Sequence, residues 1–407
     1  MTDPVAVTGL GLVTPAGEDA GATWEGVCRG VGTASRDPAL AGLPVDFSCR
    51  VPLSRDALDR RVGRTAWRMS RNAVLAVLAA REAVRDAGLD PRTWDGERVA
   101  VVIGCGMGAG AEREEQAGRL RDLGADMVSA LTVPQIIPNM AAGEVSIDLG
   151  ARGPGLAPAT ACASGATAVA VARDLLVSGR CDVAVAGATE AAVTPLTAAG
   201  FRRAGTLSRR TGEPAGASRP FAADRDGFVL AEGAGVVVLE RTGDAAARGA
   251  RVRALLVGCG STSDAHHPTA PARDARGAEA ALRTALADAG LTPHDVDHVN
   301  AHGTSTALGD AAEAALIARV LPHRPCVTAP KGVLGHSLGA AGAVEAALTV
   351  LTLQHGTVPP VANLDAPAPG FGLDCVTEEP RRQDVRVAVS HSFGFGGHNV
   401  VLVLAGA

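Results

Sequence analysis

The chain has 407 residues, 47% of them apolar, and a formal net charge of −5 with both signs scattered along its length. No basic stripe points to nucleic acid and no acidic tail to a charged partner. With no Tyr and only 2% aromatic residues, base stacking is excluded as a mode of action.

In chain order, strands are predicted over Val5–Leu10, Val99–Ile103, Val183–Ala186, Gly235–Leu239, Val252–Gly258, Val296–Asn300, Val385–Val389 and Asn399–Leu404. Helices are predicted over Thr65–Ala87, Ala166–Val177, Ala275–Ala289, Asp310–Val320 and Ala340–Gln354. Alternation of this kind predicts an α/β layered fold. Each half opens on a Val-rich strand ending in Gly and closes on a glycine-rich turn and a second Val-rich strand. A duplication with its seam near Thr242–Ala250 is the expectation. The Arg- and Gly-containing stretch Ser208–Ala217 reads as a surface loop.

The opening strand follows no basic segment or signal-peptide core, and no apolar run is long enough to span a bilayer; a cytoplasmic protein is expected. Eight cysteines are dispersed, without a C-x-x-C pair or zinc spacing. Reduced thiols and no metal are the expectation.

Cys162 stands apart from the other seven. It lies in Ala159-Thr160-Ala161-Cys162-Ala163-Ser164-Gly165, small residues followed by an apolar helix. A sulfur at a helix N-terminus is expected to favour the thiolate. Three further stretches carry chemistry. His302 follows a strand in Asn300-Ala301-His302-Gly303-Thr304. Lys331 and His336 precede a helix in Pro330-Lys331-Gly332-Val333-Leu334-Gly335-His336-Ser337. Ser392-Phe393-Gly394-Phe395-Gly396-Gly397-His398-Asn399 is a glycine-rich turn into the last strand.

Two other patterns compete. Gly335-His336-Ser337-Leu338-Gly339 matches a nucleophile elbow, with Asp365 or Asp374 and then His391 or His398 following in hydrolase order. That reading needs a strand running into Ser337, where Lys331, Gly332 and Gly335 stand, and it leaves Cys162 and His302 unused. Gly104-Cys105-Gly106-Met107-Gly108-Ala109 is a loose dinucleotide fingerprint, but the following helix is strongly charged and its strand is not the first of a βαβ unit. Tight growth of a sheet edge is the simpler expectation for these glycines.

Taken in order, the Cys, His and Lys-His stretches resemble the elongating type II β-ketoacyl-acyl-carrier-protein synthases of the thiolase-like superfamily. Ile137-Pro138-Asn139-Met140-Ala141-Ala142-Gly143, Arg219-Pro220-Phe221, Asp224-Arg225-Asp226-Gly227-Phe228 and Glu232-Gly233-Ala234-Gly235 match as well, so the resemblance covers nearly the whole chain. It implies a five-layer α-β-α-β-α sandwich of two fused halves, residues 1–250 carrying Cys162 and residues 251–407 carrying the His pair. It implies decarboxylative condensation, with Cys162 as nucleophile, His302 and His336 as donors to an enolate oxygen, and Lys331 as their electrostatic support. Backbone N–H groups of Cys162 and Phe395 match the oxyanion hole. Phe395 also matches the gate, and Glu313 matches a buried supporting carboxylate.

The resemblance implies no cofactor beyond the phosphopantetheine of an acyl-carrier protein. It also implies a dimer, either with itself or with a chain-length-factor-like subunit that lacks the nucleophile. Arg202, Arg203, Arg209 and Arg210 are candidates for the acidic carrier. The chain departs from the pattern at His391, where Asn is usual, at Gly332, where Ser or Ala is usual, and at His266, where Tyr is frequent. These departures suggest a divergent member, in a polyketide rather than a bulk fatty acid pathway.

Overall fold

The computed structural model describes residues 4–407. Eleven strands form one sheet: β1 (Val5–Val13), β2 (Val99–Gly104), β3 (Gly155–Leu156), β4 (Val183–Glu190), β5 (Gly233–Arg241), β6 (Ala254–Ser263), β7 (His298–Asn300), β8 (Cys326–Thr328), β9 (Asp374–Cys375), β10 (Val387–Gly394) and β11 (His398–Ala405), in the order β9-β8-β7-β10-β11-β6-β1-β5-β4-β2-β3. The middle of this order is a narrow joint, because β1 meets β6 only through Val5–Val7 against Ala254–Leu256.

Outward from the joint the two sides run alike. β1-β5-β4 are antiparallel neighbours and β4-β2-β3 parallel; β6-β11-β10 are antiparallel and β10-β7-β8 parallel. Six helices matter here: α1 (Arg71–Asp86), α2 (Ser164–Val177), α3 (Pro195–Arg203), α4 (Arg276–Ala289), α5 (Ala307–Val320) and α6 (Ala341–His355). α2 packs on β2 and β4 and reaches β11, while α6 packs on β5 and β10, so both fill the space between the sheet halves. α1 covers β1, β5 and β4, and α4 covers β6 and β11 with α5 beside it. The result is the α-β-α-β-α sandwich.

The middle layer explains its own sequence. Every residue of α6 from Ala341 to Thr352 is buried, so the helix is apolar nearly all round rather than amphipathic. α2 and α6 touch backbone to backbone. A Cβ at Gly165 would fall 2.4 Å from the Ala343 nitrogen, and one at Gly342 would fall 2.8 Å from the Ala166 nitrogen. This crossing brings the N-termini of the two central helices together, and the site is built there.

The predicted helix over Thr65–Ala87 is broken. Ala66–Arg68 is a separate 3₁₀ turn, and α1 begins only after Ser70, whose extended backbone (φ −71°, ψ 162°) occupies the cap position that serine favours. The short strands β3, β8 and β9, each of two or three residues, fall below the length at which an alternating pattern is visible. No helix among the described residues is long and apolar enough to cross a membrane.

Candidate active site

Cys162 sits in a 3₁₀ turn, Ala161–Ala163, that runs directly into α2. Ala161 ahead of it takes φ +51°, a conformation that costs a non-glycine residue energy and turns the thiol out of the helix line. Its sulfur lies 3.1 Å from His336 Nε2, and the Phe395 N–H donates to the same sulfur. The His302 and His336 rings meet edge to face with centroids 5.5 Å apart. Cys162, His302, His336, Phe393 and Phe395 line one cavity of about 340 Å³, open past Leu308, which is 59% exposed.

Each group is held by the fold. His302 ends the turn after β7, and Glu313 on α5 pins that turn: Oε1 accepts the His302 N–H and Oε2 the Gly303 N–H, both at 2.8 Å. His336 is threaded into an extended segment, donating its N–H to Val229 O and accepting from the Ala231 N–H at 3.0 Å. Phe228 packs edge-on against its ring at 5.2 Å. Gly394 keeps space beside Cys162, since a Cβ there would come within 3.1 Å of Cys162 N. The Phe395 turn is tethered from outside by the Gly396 N–H, which donates to Pro268 O at 2.7 Å.

Lys331 is the only lysine in the chain; every other cation among the 38 Lys and Arg residues is an arginine. It is also 1% exposed. Its ammonium donates to His302 O at 2.7 Å, approaches His302 Nδ1 at 3.4 Å and pairs with Glu345. An ammonium has only donors, so Nδ1 facing it is the bare acceptor and the ring proton sits on Nε2.

Electrostatics correct one expectation. Burial pushes the Cys162 thiol up to about 11, with Lys331 and the Phe395 N–H opposing it; the resting group is a thiol. Helix-terminal donors are outweighed because the sulfur is taken out of water. Burial holds His302 well below the ordinary imidazole range, helped by Lys331, His336 and His391, and burial with Lys331 does the same for His336. Two neutral imidazoles therefore face one thiol.

The competing patterns resolve differently. A one-turn helix, Lys331–Leu334, occupies the place where an elbow's strand would lead into Ser337, and His391 bonds to Glu313 instead. The glycine loop after β2 holds an internal acid: Gly106, Met107, Gly108 and Gly339 N–H groups all donate to the Glu190 carboxyl oxygens at 2.8–3.2 Å, opposing the burial that pushes this group up to about 7. β2 is one strand in from the sheet edge, so the glycines serve this nest rather than edge growth.

Profiles of the Beta-ketoacyl synthase N-terminal domain and C-terminal domain match residues 2–245 and 253–365. The chain belongs to the β-ketoacyl synthase family. The synthase is 41% identical over 410 residues to a 3-oxoacyl-[acyl-carrier-protein] synthase 2 of Synechocystis sp. (strain PCC 6803), covering 98% of this chain and 97% of that one. It is 40% identical over 406 residues to the protein of the same name from Staphylococcus aureus strain COL, with the same coverage. Among solved structures it superposes with a TM-score of 0.92, at 30% identity and 100% coverage of both chains, on a type II polyketide synthase acyl-carrier protein in complex with its ketosynthase bound to the hexaketide. The ishigamide ketosynthase/chain length factor matches with the same TM-score and coverage at 32% identity. The synthase is thus a carbon–carbon bond-forming acyltransferase.

Several working parts of the synthase escaped sequence reasoning. Glu345 anchors Lys331 from inside an apolar helix, where one acid among alanines was the available signal. Glu190 reads as a strand end, and Phe228 and the buried Glu232, which pairs with Arg71 at 2.6 Å, were matched only as motif letters. Of the four candidate docking arginines, Arg210 is committed to Asp224 at 2.7 Å, while Arg203 and Arg209 point to solvent. His266 lies exposed in the segment outside the Phe395 turn. Gly332 packs tightly: a Cβ there would stand 2.9 Å from Ala362 O, which explains glycine in place of Ser or Ala.

Proposed function

We propose that the synthase elongates a fatty acyl or polyketide chain by two carbons, through decarboxylative Claisen condensation of an acyl-Cys162 intermediate with malonyl-acyl-carrier protein. The observation that carries this reading is one sulfur and two neutral imidazoles converging on a single cavity.

In the first half-reaction the Cys162 thiol loses its proton as the sulfur attacks the carrier thioester, and the carrier's pantetheine thiolate leaves and takes up a proton. The oxyanion is received by the Cys162 and Phe395 N–H groups. In the second, the malonyl thioester enters and its carboxylate departs as CO₂. The C–C electron pair becomes an enolate whose oxygen accepts from His302 Nε2–H and His336 Nε2–H. Neutral donors suit this step because they stabilise the negative oxygen without surrendering the proton, so the carbanion end stays free to attack the acyl-Cys carbonyl. Collapse expels the Cys162 thiolate, which takes up a proton from solvent to restore the thiol, and leaves a 3-ketoacyl thioester on the carrier. Lys331 holds the His302 tautomer, Glu313 and His391 hold its turn, and Phe395 gates the cavity.

Residues 1–250 and 251–407 are the two halves that contribute the nucleophile and the His pair. The substrates ride on the phosphopantetheine of an acyl-carrier protein in the cytoplasm, and no cofactor of the synthase's own is needed. Arg203 and Arg209, with Arg202 behind them, meet the acidic carrier. A heterodimer with a chain-length-factor-like subunit is the second reading, favoured by the likeness to the ishigamide ketosynthase/chain length factor.

Intact mass spectrometry after incubation with acyl-carrier proteins tests the chemistry. Wild type should gain an acyl mass, Cys162→Ala should not, and malonyl-carrier protein should discharge the adduct as a 3-ketoacyl product. Loading that survives Cys162→Ala would overturn the reading. Activity that appears only with a second subunit added would select the heterodimer. Arg203→Glu with Arg209→Glu should raise KM for the carrier and spare small thioester substrates; an unchanged KM removes them.

A further inference from the structure

Glu190 ends β4 with its side chain fully buried, and the condensation as described makes no use of it. Among the described residues, every partner of its carboxyl is a backbone N–H. Oε1 accepts from Gly108 at 2.8 Å and Met107 at 3.2 Å. Oε2 accepts from Gly106 at 2.8 Å, Met107 at 3.1 Å and Gly339 at 3.2 Å. Gly106, Met107 and Gly108 belong to the half that carries Cys162, whereas Gly339 stands three residues after His336 in the other half. One oxygen thus joins the two halves beside the site. Both approaches require glycine: a Cβ at Gly339 would lie 2.2 Å from Gly106 N, and one at Gly106 would lie 2.9 Å from Glu190 Oε2.

The two ends of this clip lead to the two reacting groups. On the loop side, Cys105 O accepts from Ser164 Oγ at 3.4 Å. A Cβ at Gly104 would come 2.6 Å from Ser164 O, and one at Gly106 would come 3.5 Å from Ala161 O. The loop therefore lies against the turn that carries Cys162. On the other side, Gly339 sits in the 3₁₀ turn Leu338–Ala340, which runs into α6. Leu338 takes φ +47°, so the chain between His336 and Gly339 is tightly turned and has little slack. Apart from the Phe228 edge, the His336 ring is lightly restrained: Nδ1 has no hydrogen-bond partner among the described residues, and Nε2 meets the Cys162 sulfur. Backbone placement decides where that ring points, through Val229 and Ala231 on one side and Gly339 on the other.

Resting on the condensing reading above, we infer that Glu190 is a positioning residue for the condensation: its carboxyl clips Gly339 to the loop behind Cys162 and so sets the reach of His336 Nε2 to the sulfur and to the enolate oxygen. Removing one acceptor oxygen opens the clip. In Glu190→Gln the amide keeps the size of the side chain but turns an N–H₂ group toward N–H donors that it cannot satisfy. Gly339 is then free to draw back, and the His336 donor falls out of line. His302 keeps its own supports, Glu313 and Lys331.

The test follows release of CO₂ from malonyl-carrier protein by wild type, Glu190→Gln, His336→Ala and the double variant. Glu190→Gln should slow the step by ~10²-fold, the lower end of what loss of one preorganised donor removes. In the His336→Ala background the same change should slow it by less than about threefold, because the donor that Glu190 positions is already gone. An equal loss in both backgrounds overturns the inference, since a residue that only supports the fold weakens both alike. A Glu190→Gln enzyme that keeps the wild-type rate overturns it as well. A second measurement uses ¹⁵N-histidine labelling. The His336 nitrogens, identified by their absence in His336→Ala, should shift in Glu190→Gln while those of His302 hold. Unshifted His336 nitrogens also overturn the inference. If Glu190→Gln does not fold, Glu190→Asp, which carries both acceptor oxygens on a shorter arm, goes through the same cycle and labelling, and the same outcomes decide. If wild type releases no CO₂ at all, the condensing reading fails while the nitrogen shifts still decide whether Glu190 places His336.

Discussion

Replacing Lys331 by Met separates two jobs done by one ammonium. Lys331 and Glu345 are 1% and 2% exposed, and the pair is made in the middle layer away from water. Removing one partner strands the other, which for a buried pair costs about 3–5 kcal/mol. The same change frees His302 Nδ1, so the ring proton is no longer confined to Nε2, and the loss of one aligned donor lowers the rate by ~10²–10³. Replacing both partners, as Lys331→Met with Glu345→Leu, should restore most of the stability, because two apolar chains of similar volume fill the gap. It should not restore the rate. Urea denaturation followed by circular dichroism gives the stabilities, and single-turnover condensation from pre-loaded acyl enzyme gives the rate. A double variant that recovers both would show that Lys331 acts only by supporting the fold. A single variant that keeps full rate would remove the tautomer argument.

Three further outcomes follow from the geometry. Because burial holds Cys162 as a thiol near 11, its alkylation by iodoacetamide should accelerate by about tenfold per pH unit from pH 7 to 9; a rate already flat at pH 7 would mean a standing thiolate. His298, fully buried with its pKa pushed down to about 4 by burial, binds its proton more readily unfolded. Its contribution is intact above pH 6.5 and falls by about 3 kcal/mol as the pH drops toward 4; His298→Gln should flatten that part of the wild-type stability curve, measured by urea midpoints, and an unchanged slope would contradict it. Gly165→Ala should destabilise by about 1–3 kcal/mol or abolish folding, since its Cβ would meet Ala343 N at 2.4 Å; an unchanged thermal midpoint would mean that the helix crossing can relax.

Cys162, His302 and His336, which the fold brings to one cavity, were legible because each stands in a stretch of unusual local composition. Cys162 is flanked by small residues since a second helix crosses there, and His302 and His336 sit where a strand or turn delivers them to one point. The α/β layering was legible from strand–helix alternation, and its five layers only from the family likeness. What stayed hidden depends on contacts distant in sequence. Glu190 reaches a loop some 84 positions away, and Glu313 reaches His391 across 78. The thiol's protonation state was misjudged for a related reason: proximity to a helix end is visible in the sequence, whereas loss of solvent is set by the surrounding fold.

The solitary lysine gives this enzyme an unusual handle. Reagents that acylate ε-amines find no target on the folded surface, since the single such amine is sealed beneath the two imidazoles. Tagging at Lys331 would require the middle layer to part, so the pace of amine labelling becomes a clock for the opening of the catalytic core, readable on the unmodified wild-type chain.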